Sequence, residues 1–137
     1  MSADAAPVGS ELDSRINTIE EAYEFMLAYA SQGLPTDKDN DTGRQAREFL
    51  KRLDAALANL GDLFTSRVNA LGLQPAPAYA GFIDVIARDA RDAQAAVRLV
   101  LAQPAIGSQM IDNLNASIHL RALLTDLFLI DEILKAR

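Results

Sequence analysis

The chain has 137 residues, of which 50% are apolar by a broad count and only 6% aromatic, and it carries a formal charge of −6 with a pI near 4.6. That length suits one domain able to bury a core without staples, and the aliphatic composition suits helices packed on helices. The acidity argues against nucleic acid and anionic membrane surfaces as partners, and the absence of cysteine excludes disulfides, thiolate metal sites and thiol nucleophiles and fits a reducing, cytoplasmic setting.

Residues 1–10, MSADAAPVGS, contain neither a basic cluster nor an apolar run, so they read as a disordered lead-in and not as a signal peptide. Residues 11–137 read as a single domain. The first helix carries Leu12, Ile16, Ile19, Tyr23, Met26 and Ala30, apolar side chains in alternating steps of four and three that share one helix face. Thr18 with Glu21 resembles a capping box near its start, and Gly33, Leu34 and Pro35 end it. Thr42 with Gln45 predicts the start of a second helix running to about Leu71, through Ala46, Leu50, Leu53, Leu57, Leu60 and Phe64, stopped by Gly72. Gly61 inside it predicts a close helix contact or a slight bend.

Pro77, suited to a first helical turn, opens a third helix with the seam Tyr79, Ile83, Ile86, Ala90, Ala93, Val97 and Val100, which ends near Gln103 before Pro104 and Gly107. Ser108 is placed to cap a fourth, whose seam is Ala116, Leu120, Leu123, Leu127, Ile130 and Leu134. Short connectors make consecutive helices antiparallel neighbours, so the expected fold is all-α, an up-down-up-down four-helix bundle with left-handed packing. Asp126, Asp131 and Glu132 interrupt the longest apolar stretch before it reaches the roughly 20 residues that cross a bilayer, so a soluble protein is expected.

Four sets of polar residues are candidates for chemistry. Asp37, Asp39 and Asp41 alternate along the first connector, and Glu48 follows eleven residues after Asp37, a spacing that resembles the EF-hand calcium loop. Thr42 stands where that loop needs glycine, with Gly43 one residue late, and no second loop is present; the alternative is a solvated turn whose acids favour the positive end of the second helix. Glu21 and Glu24 resemble half of the magnesium motif of all-α nucleoside triphosphate pyrophosphatases, for which Asp89 and Asp92 would have to supply the second pair. The simpler account places these acids in a first turn and among arginines. His119, the single histidine, has no carboxylate three or four residues away and lies off the apolar seam, so it reads as a surface residue and not as a metal ligand or as a haem partner of Met26. Arg44, Arg47, Lys51 and Arg52 form a basic run that Glu48 and Asp54 dilute into a solvated helix face.

No phosphate loop, nucleophile elbow or cofactor motif accompanies these groups, and no catalytic residue or cofactor is expected. In the fourth helix Leu124, Phe128, Leu129 and Ile133 widen the apolar face beyond one stripe, which marks them as candidates for a partner interface. The expected role is therefore that of a small acidic accessory, adaptor or chaperone-like protein that binds another protein or a second copy of itself. The alternatives are a metal-dependent all-α nucleotide hydrolase and a calcium-binding module through residues 37–48.

Overall fold

The computed structural model describes residues 5–136, and within them the chain forms six helices. These are α1 (Ala5–Ser31), α2 (Asp41–Leu57), α3 (Leu60–Leu71), α4 (Ala76–Leu101), α5 (Ser108–Ala116) and α6 (Ile118–Lys135). No strand occurs among the described residues, so the all-α expectation holds. Residues 1–4 of the expected lead-in lie outside the described residues, whereas α1 begins at Ala5, so residues 5–10 are helical and not a lead-in.

The expected second and fourth helices are each divided in two. The first break falls at Ala58, which is extended, and Asn59, which is left-handed at φ 60° and ψ 23°, a conformation asparagine tolerates better than most residues. Leu57 and Leu60 are both buried on either side of it, so the apolar spacing passes through the break unchanged and could not reveal it. Arg15 of α1 stabilises the interruption by donating to the carbonyls of Ala56 at 3.3 Å and Ala58 at 2.6 Å, groups that a terminating helix leaves without partners. Beyond the break Gly61 passes so close to α4 that a Cβ there would lie 2.9 Å from the Cβ of Ala87, the close contact the glycine predicted. The second break is at Ser117, extended at ψ 148°, whose hydroxyl donates to the Leu114 carbonyl at 2.7 Å.

The helices close around one aliphatic core. α1 packs on α2, α3 and α5, α4 packs on α2, α3 and α6, and α5 and α6 meet each other. Ile19, Met26, Leu50, Leu53, Ile86, Val97, Leu123 and Leu127 are wholly buried, and each such side chain contributes about 1.5–3 kcal/mol relative to an exposed one. The seams of the second and third predicted helices are buried almost throughout. In α1 the buried set moves to Ala22 and Tyr29, leaving Tyr23 and Ala30 half-buried, and in the last predicted helix Ala116 is exposed beside the break.

One end of the molecule is fixed by polar side chains. Asp37, only 6% exposed, accepts from the Ile106 N–H at 2.7 Å and from Arg47 Nε at 2.9 Å. The rest of the Arg47 guanidinium donates to the carbonyls of Leu101 and Gln103, both at 3.1 Å, so Arg47 is a half-buried anchor and not part of a solvated basic face. Tyr29 donates to the Ile106 carbonyl at 2.8 Å. Ser108, expected to cap a helix, instead donates to the Tyr29 carbonyl at 2.6 Å and accepts from the Leu34 N–H at 2.8 Å. Asn40, not Thr42, caps α2 by accepting from the Gly43 N–H, and a Cβ on Gly43 would overlap the Asp37 backbone.

Burial alone would raise the Asp37 carboxyl, but the hydrogen bonds from Arg47 and Ile106 and the guanidinium charge outweigh it and hold it below the ordinary 3.8. A carboxyl bound this way adds stability above its unfolded pKa, and that stability is lost as pH falls through the lower folded value. Asp37→Ala and Arg47→Ala should each cost about 3 kcal/mol in urea unfolding at pH 7, because each strands a partly buried charge. The difference between Asp37→Ala and the parent should shrink as the pH is lowered below the ordinary carboxylate range.

Candidate functional site

Three outward side chains of α6 depart from ordinary surface composition. Phe128 is 57% exposed, Leu129 51% and Ile133 41%, so three of the four residues expected at an interface lie on the surface. The fourth, Leu124, does not: it is 5% exposed and packs in the core, because the helix turns it to the flank of the Leu120, Leu123 and Leu127 stripe. Ile118, 72% exposed at the first position of α6, joins the exposed set and was missed by following the seam alone. Its spacing to Ala122, Thr125 and Leu129, at i+4, i+7 and i+11, was the available signal.

Leu129 and Ile133 do more than stand exposed. With Ile130 of α6 and Pro75, Tyr79 and Phe82 at the start of α4 they line an open groove of about 270 Å³ whose walls are almost wholly apolar. Tyr79 and Phe82 are half-buried, one turn apart and packed against the core on their inner sides. Leu27, Leu71 and Leu99 are exposed leucines outside this groove, and single exposed apolar side chains are ordinary on protein surfaces, whereas Leu129 and Ile133 belong to one contiguous apolar groove. A larger cleft of about 390 Å³, at the Asn59 break, is lined chiefly by polar groups such as Asp62, Arg91, Gln94 and Arg98.

Three of the four acids in and after the first connector are engaged with other groups. Asp37 is held by Arg47 and Ile106, Asp41 pairs with Arg44, and Glu48 lies 4.0 Å from Arg52, while Asp39 is exposed at φ 62°. Glu21, Glu24 and Asp92 are exposed, and their helices, α1 and α4, are not among the closely packed pairs. Among the described residues no group of three or more His, Asp or Glu is placed to hold a metal ion. Met26 is wholly buried in the core and His119 is exposed, so those two do not share a site.

One acidic pair was not expected. Asp126 of α6 faces Asp89 of α4, and its Oδ2 is buried without a donor. Burial first, then the hydrogen bond and charge of Asp89, raise the Asp126 carboxyl from 3.8 to about 7. The sequence masks this contact, because Asp89 sits among Arg88 and Arg91 and reads as a surface charge. Set against known protein families, characterised proteins and solved structures, the chain matches none.

The acid pair has a defined consequence for stability. Between the unfolded value near 3.8 and about 7 the folded state binds the extra proton, so stability falls as pH rises through that window. Melting temperature should therefore decline from pH 5 to pH 8 in the parent by more than in Asp126→Asn, which should melt higher than the parent at pH 8. An Asp126→Asn variant with an unchanged pH profile would contradict this pairing.

Proposed function

We propose that this chain works by binding another protein, as a small accessory, adaptor or chaperone-like protein of the cytoplasm, through the groove between α4 and α6. The reading takes the six helices as an up-down-up-down four-helix arrangement in which α2 with α3 and α5 with α6 each act as one bent member. The observation that carries it is the groove itself: Tyr79, Phe82, Leu129 and Ile133 form an apolar trough, and Phe128 and Ile118 extend apolar surface along α6. A trough between two helices is the geometry in which an amphipathic partner helix docks with apolar side chains at i, i+3 or i+4 and i+7. Ile118, Phe128, Leu129 and Ile133 lie outside the bundle's own core, so they carry apolar surface that folding leaves exposed at a hydration cost.

A photoreactive residue placed at Leu129 and activated in the native cell tests this directly. Covalent adducts to a protein are expected at Leu129 and absent at Leu99, an exposed leucine near the far end of α4. Adducts at neither position would overturn the reading. Leu129→Glu should leave the helical spectrum unchanged, because the side chain lies outside the core.

A further inference from the structure

We propose that the occupant of this groove is a second copy of the chain, bound by antiparallel pairing of the two α6 helices about a two-fold axis level with Asp126 and Leu127. The inference rests on the binding role assigned to the α4–α6 groove and names its partner. It starts from the outward residues of α6. Ile118, Arg121, Thr125, Phe128, Glu132 and Lys135 follow one another in steps of three, four, three, four and three, a second seam on the side away from the core.

Reversing this seam maps it onto itself. In the antiparallel pair Arg121 of one copy stands opposite Glu132 of the other, and the dyad repeats that contact, giving two opposite-charge pairs. Arg121 and Glu132 are both exposed, and neither forms an ion pair within the described residues. A parallel pair would instead set Arg121 against Arg121 and Glu132 against Glu132. Charge therefore selects both the direction and the register.

The apolar residues complement one another in the same register. The two Phe128 side chains meet beside the axis, about 4.5 Å apart along the helix direction at 1.5 Å per residue, within reach of ring contact. A dyad of this kind keeps the α4 sides of the two copies together. Ala122 of one copy then falls level with the gap between Leu129 and Ile133 of the other, and Ile118, the most exposed apolar side chain, comes level with the Ile133 end of the groove. Small and large residues alternate across the contact, as close helix packing needs. Lys135, opposite Ile118, covers it with its aliphatic stem while its ammonium stays with Asp131 at 2.9 Å.

The test is a charge swap read by sedimentation equilibrium on the 137-residue chain, with circular dichroism confirming that each variant is folded. Arg121→Glu alone and Glu132→Arg alone should each weaken dimerisation by about tenfold or more, and the double variant should return to within about threefold of the parent, because like charges opposed across an interface penalise association. A chain that remains monomeric up to about 1 mM, or a dimer indifferent to both single reversals, would overturn the inference. A monomer whose Leu129 adduct carries a different protein removes the second copy as occupant while leaving the binding role intact; a monomer with no adduct removes both.

Discussion

Two connectors at one end of this molecule are held together through one buried carboxylate that binds both. Asp37 belongs to the connector between α1 and α2, yet its two oxygens are taken by an amide of the α4–α5 connector and by Arg47, whose remaining donors reach the end of α4. Removing water from a charge is costly, and the cost is offset here because each Asp37 oxygen has a donor and the guanidinium is spread over three acceptors. Much else at this end follows. Gly43 is required because α2 starts against the Asp37 backbone, and Gly107 because a Cβ there would lie 2.7 Å from the Pro35 carbonyl oxygen. Tyr29 and Ser108 complete the closure from α1 and α5.

The same constraint explains why the alternating aspartates of the first connector do not assemble as their spacing suggests. A calcium loop turns its first acid toward a central cation, whereas Asp37 turns into the protein and finds a cation already there in Arg47. Spacing along a chain records which residues could converge; it does not record which partner arrives from a connector 69 residues away. The basic run of α2 was opaque for a related reason. Arg44 and Arg52 do sit on the solvated face with acids of their own helix, but Arg47, between them in sequence, is turned toward α4. Helical periodicity separates these faces, yet only the third dimension supplies the acceptors.

Most of the core was legible because burial follows a period that the sequence carries openly. Leu50, Leu53, Leu57, Leu60 and Phe64 and the run from Ile83 to Val100 occupy the interior in the order their spacing gives. The breaks were illegible for the reason that made the seams legible: Leu57 and Leu60 stay in step across a left-handed Asn59, and Leu114 and Leu120 are buried on both sides of an extended Ser117. Asn59 carries no glycine or proline signal at the break, and Gly61, two residues on, serves the contact with Ala87. The groove was half visible. Its α6 wall could be read from surplus apolar residues, but its α4 wall could not, since Tyr79 looked like core and Phe82 belonged to no seam.

Taken together, the polar clamp, the two breaks and the apolar groove assign different tasks to the two sides of α6. Its inner stripe completes the core, its flank carries the Asp89–Asp126 contact to α4, and its outer seam, self-complementary in charge when reversed, is the surface we propose for a second copy. Because the chain contains no cysteine, that pairing can be read by introduced thiols without background. Arg121→Cys combined with Glu132→Cys should give a disulfide-linked dimer under mild oxidation, whereas either substitution alone should not, since an antiparallel pair holds the two copies of each position about 16 Å apart along the helices. Efficient linkage by the single variants, or none by the double variant, would contradict the account.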